Sequence, residues 1–127
     1  MARILVVDDD ALDLMVLQSM LGKGGHDLVL APDGAAALAV YQTSKFDLVV
    51  ADLVMPSLNG LELIREILAM DPNASIIAIS GMSPEYIPLA EDYGAIRALT
   101  KPLDAELFLR TVQEVLGRRD PDSSEPA

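Results

Sequence analysis

Short, continuous apolar runs recur along this chain, and longer segments of helical character separate them. Four of these runs are unbroken, at residues 4–7, 28–30, 48–51 and 76–79. A fifth short strand is predicted at residues 96–100. Unbroken apolar runs of this length are typical of strands buried on both faces, as in parallel sheets covered by helices. The alternation predicts an α/β fold of (βα)5 type, with a doubly wound five-stranded parallel sheet and right-handed connections.

The segments between these runs are predicted as helices, at 11–21, 35–41, 61–68, 83–93 and 103–116. In the first, Leu12, Val16 and Met20 fall at helical spacing and are predicted to face the core. In the fourth, Pro88 would remove an interior hydrogen bond, which weakens the prediction. Gly117 can stop the last helix.

Composition excludes several classes of function. The chain has 127 residues, a formal net charge of −11, no cysteine and one histidine, His26. The acidic excess disfavours binding to nucleic acid or anionic membranes, which requires clustered basic residues. Disulfides, thiolate zinc sites and cysteine nucleophiles are excluded, and multi-histidine metal sites and Ser-His-Asp catalysis are disfavoured. With no membrane-span-length apolar run and no signal peptide, we expect one soluble, cytoplasmic domain.

Polar side chains follow the predicted strands at the point where each strand ends. Asp8 and Asp9 follow the first strand, Asp52 the third, Ser80 the fourth and Lys101 the fifth. In open α/β sheets, ligands bind outside the carboxyl ends of the strands. Four separate segments are therefore predicted to converge at one edge of the sheet.

The convergence has a chemical interpretation. Carboxylates brought close together raise one another's pKa and destabilise the fold unless a cation compensates them. Mg²⁺ suits a few carboxylates together with water and a phosphate oxygen. Lys101 and Ser80 could hold further phosphoryl oxygens, and an aspartate can be the nucleophile of phosphoryl transfer.

These residues resemble the receiver domain of two-component response regulators, the CheY-like or flavodoxin-like fold. The resemblance covers about residues 3 to 117 and depends on the order and spacing of several motifs. These motifs are Val6-Val7-Asp8-Asp9-Asp10, Asp33-Gly34, Asp52-Leu53-Val54-Met55-Pro56, Gly60, Ser80-Gly81 and Leu99-Thr100-Lys101-Pro102-Leu103. The resemblance implies the strand order 2-1-3-4-5.

The resemblance also implies a phosphorylation site. Asp52 would be the phosphoacceptor, taking a phosphoryl group from a histidine kinase or a histidine phosphotransfer protein. Asp9 and Asp52 would bind Mg²⁺ directly with the backbone carbonyl of Val54, while Asp8 would act largely through water. Ser80 and Lys101 would hold the phosphoryl oxygens, and the peptide bond between Lys101 and Pro102 would be cis.

The implied function is a phosphorylatable switch that controls a downstream effector or a homodimer. It catalyses its own phosphorylation and dephosphorylation and is not an enzyme acting on a metabolite. Ala98 stands where the family usually has an aromatic ring or histidine that changes position on activation. That departure, with Pro88, leaves a second interpretation open: an interaction domain of receiver fold that works without phosphorylation. Val54 and Met82 are apolar beside the site, which predicts slow loss of the phosphoryl group.

Two enzyme-like or cofactor-binding alternatives fit less well. A metal-dependent phosphatase with an aspartyl nucleophile usually needs a second acid two residues later, where this chain has Val54. A flavin-binding module would need a Ser-, Thr- or Gly-rich phosphate loop after the first strand, where this chain has three aspartates.

Two surface segments complete the prediction. Leu14 and Met15 in the first helix either form part of a hydrophobic docking patch for the kinase or merely cover neighbouring side chains. Residues 1–118 are assigned to the receiver domain and 119–127 to a disordered acidic tail or a linker stub.

Overall fold

The structure is a computed structural model that describes residues 2–53, 59–81 and 85–119, with residues 118 and 119 described by their backbone only. Strands and helices alternate throughout. The strands are β1 (Arg3–Val7), β2 (Asp27–Ala31), β3 (Leu48–Asp52), β4 (Ile76–Ser80) and β5 (Arg97–Thr100). The helices are α1 (Ala11–Gly22), α2 (Gly34–Thr43), α3 (Gly60–Met70), α4 (Tyr86–Tyr93) and α5 (Ala105–Arg119). The predicted (βα)5 pattern is confirmed.

The five strands form one parallel sheet in the order β2-β1-β3-β4-β5. β1 and β3 therefore lie at its centre, where Val7 is in register with Ala51. All five residues of β3 are buried, as are all five of β4. This pattern explains the unbroken apolar runs, because a strand covered by helices on both faces has no position for a solvated side chain.

Alternate residues of the strands feed two hydrophobic clusters on opposite faces of the sheet. Leu5 and Val7 pack with α2, α3 and α4, whereas Ile4 and Val6 pack with α1 and α5. Since successive side chains of a strand point to opposite faces, one run of four apolar residues supplies both clusters. Tyr41, Phe46 and Phe108 are buried in these clusters.

The buried face of α1 differs from the one predicted. Leu12 and Val16 are 70% and 48% exposed, Met20 is partly buried against the cluster of α1 and α5, and Leu17 and Leu21 fill the core. Apolar residues surround this helix on every side, so helical spacing alone could not identify the face that meets the sheet.

Two expectations about helix ends are also corrected. Pro88 lies in the first turn of α4, where backbone N–H groups have no partner within the helix, and it therefore removes no interior hydrogen bond. Gly117 does not stop α5, which continues to Arg119. From residue 120 onward the predicted disordered tail lies outside the described residues.

Side-chain caps fix where the helices begin. Asp10 accepts hydrogen bonds from the backbone N–H groups of Leu12 and Asp13, at 2.9 and 3.4 Å, and so starts α1 directly after the acidic end of β1. Asp104 likewise accepts from the N–H of Leu107 at 3.0 Å at the start of α5. In the described part of the chain, no helix is both long and apolar enough to cross a bilayer.

Gly60 at the start of α3 packs directly under the end of β3. A Cβ atom there would lie 2.5 Å from the backbone oxygen of Asp52 and would also collide with the backbone of Leu53. The backbone N–H of Gly60 donates to the oxygen of Leu53 at 2.9 Å. Only a residue without a side chain allows this close approach of α3 to the end of β3.

We expect Gly60→Ala to destabilise the fold by about 2 kcal/mol or more, because the new methyl group meets backbone on two sides. Gly117→Ala is the matched control: nothing lies near its Cβ position, and it should gain about 0.5–1 kcal/mol from helix propensity. Urea unfolding of both variants measures the difference. Equal stability of the two variants would contradict the packing described for Gly60.

Candidate functional site

The carboxyl ends of the central strands bring the predicted acidic residues together. Asp52 is the last residue of β3, and Asp8 follows β1 directly, with its N–H donating to the oxygen of Ala31 at 3.2 Å. Carboxylate oxygens of Asp8, Asp9 and Asp52 all lie within 4.8 Å of one another. The convergence that the sequence predicts at this edge is therefore present.

The three carboxylates differ in exposure. Asp8 is fully buried and Asp52 is 7% exposed, whereas Asp9 faces solvent. Burial raises the pKa of Asp8, and the Asp10 N–H at 2.9 Å and Lys101 only partly oppose that shift. A buried acid of this kind is destabilising as an anion and gains from a nearby cation.

Lys101 supplies a positive charge to this cluster. Its Nζ lies 3.0 Å from Oδ2 of Asp8, 2.6 Å from Oδ2 of Asp13 and 3.6 Å from Oδ2 of Asp52. Partial burial alone would lower the pKa of Lys101, but the hydrogen bonds to Asp13 and Asp8 and the charge of Asp52 outweigh it and raise the pKa. The ammonium group is therefore charged across the physiological range.

Backbone contacts place Lys101 over the end of β4. Its N–H donates to the oxygen of Ser80 at 2.9 Å, and the peptide bond to Pro102 is cis, as the resemblance implied. A Cβ atom at Gly81 would lie 3.3 Å from Cδ of Lys101, so the small residue leaves room for the lysine stem. Ser80 itself is fully buried at the end of β4.

Asp13 is the charged residue of this site that the sequence analysis did not single out. It lies in the first turn of α1 and accepts a hydrogen bond from Lys101, which is 88 residues away in the sequence. Its position three residues after the cap Asp10 is a local signal that it begins the helix. Nothing local indicates that it contacts a lysine near the other end of the chain.

Several residues named in the sequence analysis lie outside the described part of the chain. Val54, whose carbonyl the resemblance implied as a metal ligand, is among them. Met55, Pro56 and Met82 lie there too. Their roles therefore stay predictions.

The described donor set fits Mg²⁺. Three carboxylates, one of them fully buried, offer hard anionic oxygen ligands at one point, and Asp9 leaves that point open to solvent. Mg²⁺ is bound in proteins through a small number of carboxylates and keeps several water ligands. The mutual repulsion of the three acids is relieved when such an ion binds.

Comparison with known proteins identifies the family of this chain. The model of the response regulator receiver domain matches residues 4–113. PilH of Pseudomonas aeruginosa is 38% identical over 120 residues, covering 91% of this chain and 98% of that protein. The chemotaxis protein CheY of Thermotoga maritima is 34% identical over 115 residues, 89% of this chain and 96% of that protein.

A solved structure of the response regulator TrrA from Thermotoga maritima, in complex with Mg²⁺ and BeF, has a TM-score of 0.84 and 30% identity. The alignment covers 91% of this chain and 99% of that one. The chain belongs to the response regulator receiver domain family. Members of this family are signalling modules of two-component systems, which interact with histidine kinases and effectors.

Mg²⁺ should raise the Tm of this protein, because an ion that binds only the folded state stabilises it. At ten times the dissociation constant the gain is about 1.4 kcal/mol, or roughly a few degrees in Tm. Asp9→Asn should abolish most of that shift while leaving the Tm without Mg²⁺ unchanged or higher, because one of three like charges is removed. Thermal unfolding followed by circular dichroism, with and without Mg²⁺, measures both values.

Glu66→Gln on the exposed side of α3 is the control, since it removes one negative charge away from the three carboxylates. It should keep the full Mg²⁺ shift. An Asp9→Asn protein that responds to Mg²⁺ as the wild type does would show that the ion binds elsewhere.

Proposed function

We propose that this protein is a phosphorylation-dependent switch of a two-component system. It accepts a phosphoryl group on Asp52 from a histidine kinase or a histidine phosphotransfer protein, and the reaction depends on Mg²⁺. The observation that carries the proposal is the group of Asp8, Asp9 and Asp52 within 4.8 Å, with Lys101 Nζ 3.6 Å from Asp52. A cation-binding acidic cluster beside a lysine supplies the charge neutralisation that phosphoryl transfer requires.

Asp52 is the proposed nucleophile. One of its carboxylate oxygens forms a bond to phosphorus while the bond from phosphorus to the donor histidine nitrogen breaks, and the leaving imidazole takes up a proton. The product is an aspartyl phosphate, and no oxidant or further reactant is needed. Asp52 suits this role because the rigid end of β3 holds it while it keeps 7% of its surface exposed.

Asp9 and Asp52 are the proposed direct ligands of Mg²⁺, and Asp8 acts through water. The backbone carbonyl of Val54, which lies outside the described residues, completes the proposed set. The ion, when bound, neutralises negative charge on the phosphoryl oxygens and on the carboxylates. Asp8 contributes by anchoring Lys101, to which its Oδ2 is bonded at 3.0 Å.

Lys101 and Ser80 are the proposed ligands of the remaining phosphoryl oxygens. Lys101 supports this role because its ammonium group already faces the acidic cluster and carries a positive charge. Ser80 supports it because β4, the neighbour of β3, ends at this residue. Val54 and Met82 offer no side chain that could orient a water, and slow loss of the phosphoryl group remains the prediction.

Phosphorylation is proposed to shift an equilibrium between an inactive and an active conformation that controls a partner, an effector or a homodimer. Residues 1–118 are the proposed switch unit and 119–127 a tail or a linker, whose first residue, Arg119, still belongs to α5. We place the protein in the cytoplasm, with no nucleic acid or membrane bound by this domain.

Ala98 favours one alternative. It is half-buried in the edge strand β5 and packs with the cluster that contains α4, so no ring at this position can move on activation. A receiver fold that binds its partner without phosphorylation would need no such ring. The complete set of acids and lysine around Asp52 favours phosphorylation, since a purely structural domain gains nothing from clustered carboxylates.

Intact mass after incubation with Mg²⁺ and acetyl phosphate tests the proposal. The wild type should gain the mass of one phosphoryl group only when Mg²⁺ is present, and Asp52→Ala should gain none. Asp10→Asn is the matched control, because it keeps an oxygen that can cap α1 and lies outside the acidic cluster. Uptake by Asp52→Ala equal to the wild type would exclude Asp52 as the acceptor.

If neither acetyl phosphate nor a purified histidine kinase phosphorylates the wild type, the phosphorylation-independent alternative would hold. Binding of the same partner by wild type and Asp52→Ala would then be the positive evidence for it.

The exposed side of α1 is the proposed kinase-docking patch. Its exposed residues differ from the pair Leu14 and Met15 named from the sequence. Leu14 is half-buried against the cluster of α1 and α5, whereas Leu12, Met15 and Val16 are exposed by 70%, 63% and 48%. Three large apolar side chains exposed on one helix beside the acidic site are suited to packing against a kinase helix.

Met15→Lys should slow phosphotransfer from a kinase that phosphorylates the wild type by at least about tenfold, since a charge replaces a buried contact of the complex. Phosphorylation by acetyl phosphate, which needs no docking, should stay within about twofold. Met70→Lys on α3 is the matched control, because this methionine is 41% exposed on the other face of the sheet. Equal loss with both donors would refute docking through α1.

A further inference from the structure

The shortest ion pair of Lys101 is to Asp13, a residue that has no role in the proposed phosphorylation reaction. Asp13 Oδ2 lies 2.6 Å from Nζ, closer than the 3.0 Å of Asp8 and the 3.6 Å of Asp52. Charge-assisted N–H···O bonds are usually about 2.7–2.9 Å long, so this one is slightly shorter than is usual. The described structure therefore has Lys101 held by α1.

Two carboxylates already share the single positive charge of Nζ. An ammonium group has three donors, and here Asp8 and Asp13 each accept one, at 3.0 and 2.6 Å. At 3.6 Å, Asp52 is beyond hydrogen-bond distance. One N–H remains for a phosphoryl oxygen on Asp52, and that oxygen would share the positive charge of Nζ with the two carboxylates that already hold it.

Exposure indicates which partner gives way. The side chain of Asp8 is fully buried, and leaving its carboxylate without Lys101 would strand a charge in the core. The side chain of Asp13 is 37% exposed, and water can replace the lysine there at little cost. The exchange between the two states should thus occur at Asp13.

We propose that Asp13 is a positioning residue of the phosphorylation site, which holds Lys101 Nζ in the unphosphorylated protein and releases it to a phosphoryl oxygen. The inference rests on the proposed function, since it concerns how Asp52 becomes phosphorylated. No bond is made or broken in the exchange apart from hydrogen bonds. The negative charge of Asp13 also offsets the positive charge of Lys101. Asp13 therefore slows the uptake of a phosphoryl group, because less positive charge is available to it.

Removal of this charge should accelerate phosphorylation. With acetyl phosphate and saturating Mg²⁺, Asp13→Asn should raise the initial rate of uptake on Asp52 roughly threefold to tenfold, as expected for loss of one partly exposed ion pair. Asp13→Glu keeps the charge and should stay closer to the wild type than Asp13→Asn. A gain in rate cannot result from partial unfolding, which would only lower it.

Glu106→Gln is the matched control. Glu106 is also an acid in the first turn of a helix, α5, so its removal reproduces the loss of one charge at a helix N-terminus. It is exposed on the surface of α5. Its uptake rate should equal that of the wild type, and an equal gain in both variants would refute a specific role for Asp13.

A second measurement follows the lysine directly and needs no phosphoryl donor. In ¹⁵N-labelled wild type, the Lys101 ammonium signal should be protected from rapid hydrogen exchange by its two carboxylate partners. Asp13→Asn should speed that exchange, and beryllofluoride with Mg²⁺, used as the phosphoryl mimic, should shift the signal of the wild type.

The outcomes separate the two proposals. A wild type that takes up no phosphoryl group from any donor would refute the proposed function, and this inference with it. A wild type that is phosphorylated while Asp13→Asn reacts equally fast, or more slowly, would refute the inference alone. Unchanged hydrogen exchange of the Lys101 signal in Asp13→Asn would do the same.

Discussion

Lys101 Nζ lies 3.0 Å from the buried Oδ2 of Asp8, and this ion pair sets the geometry of the whole acidic end of the sheet. Asp8 cannot move to meet a partner, because its Oδ1 accepts the Asp10 N–H and its backbone continues a central strand. The lysine must therefore come to it, across Gly81 and from the loop after β5. Without it, a carboxylate would lie unpaired in the core at a cost of several kcal/mol.

The sheet holds the carboxylates of Asp8 and Asp52 close together although they repel one another. β1 and β3 are hydrogen-bonded neighbours covered on both faces, so Asp8 and Asp52 at their ends have little freedom to separate. The hydrophobic clusters supply the stability that the acidic edge removes. The same rigidity would hold the carboxylates of Asp8 and Asp52 in place for the proposed cation.

One ammonium group faces three carboxylates, at 2.6, 3.0 and 3.6 Å. In the proposed exchange, Lys101 leaves the half-exposed Asp13 and keeps the buried Asp8. Ala98 provides no ring that could transmit the change through β5. The proposed exchange instead alters the contacts of α1, the helix whose exposed apolar residues form the proposed docking patch.

The sequence by itself determined the alternation of strands and helices and indicated where the acidic residues would meet. Buried parallel strands are continuously apolar, and polar residues at their ends meet at one edge, so Asp8, Asp9, Asp52, Ser80 and Lys101 could be picked out as candidates from their order, while their roles came from the family resemblance. Only the tertiary structure decided which side of α1 is buried, because a helix that is apolar all round carries no directional signal. It alone also revealed the pairing of Asp13 with Lys101, since a contact across 88 residues depends on how α1 and the β5–α5 loop are placed against the sheet, and no local pattern encodes that placement.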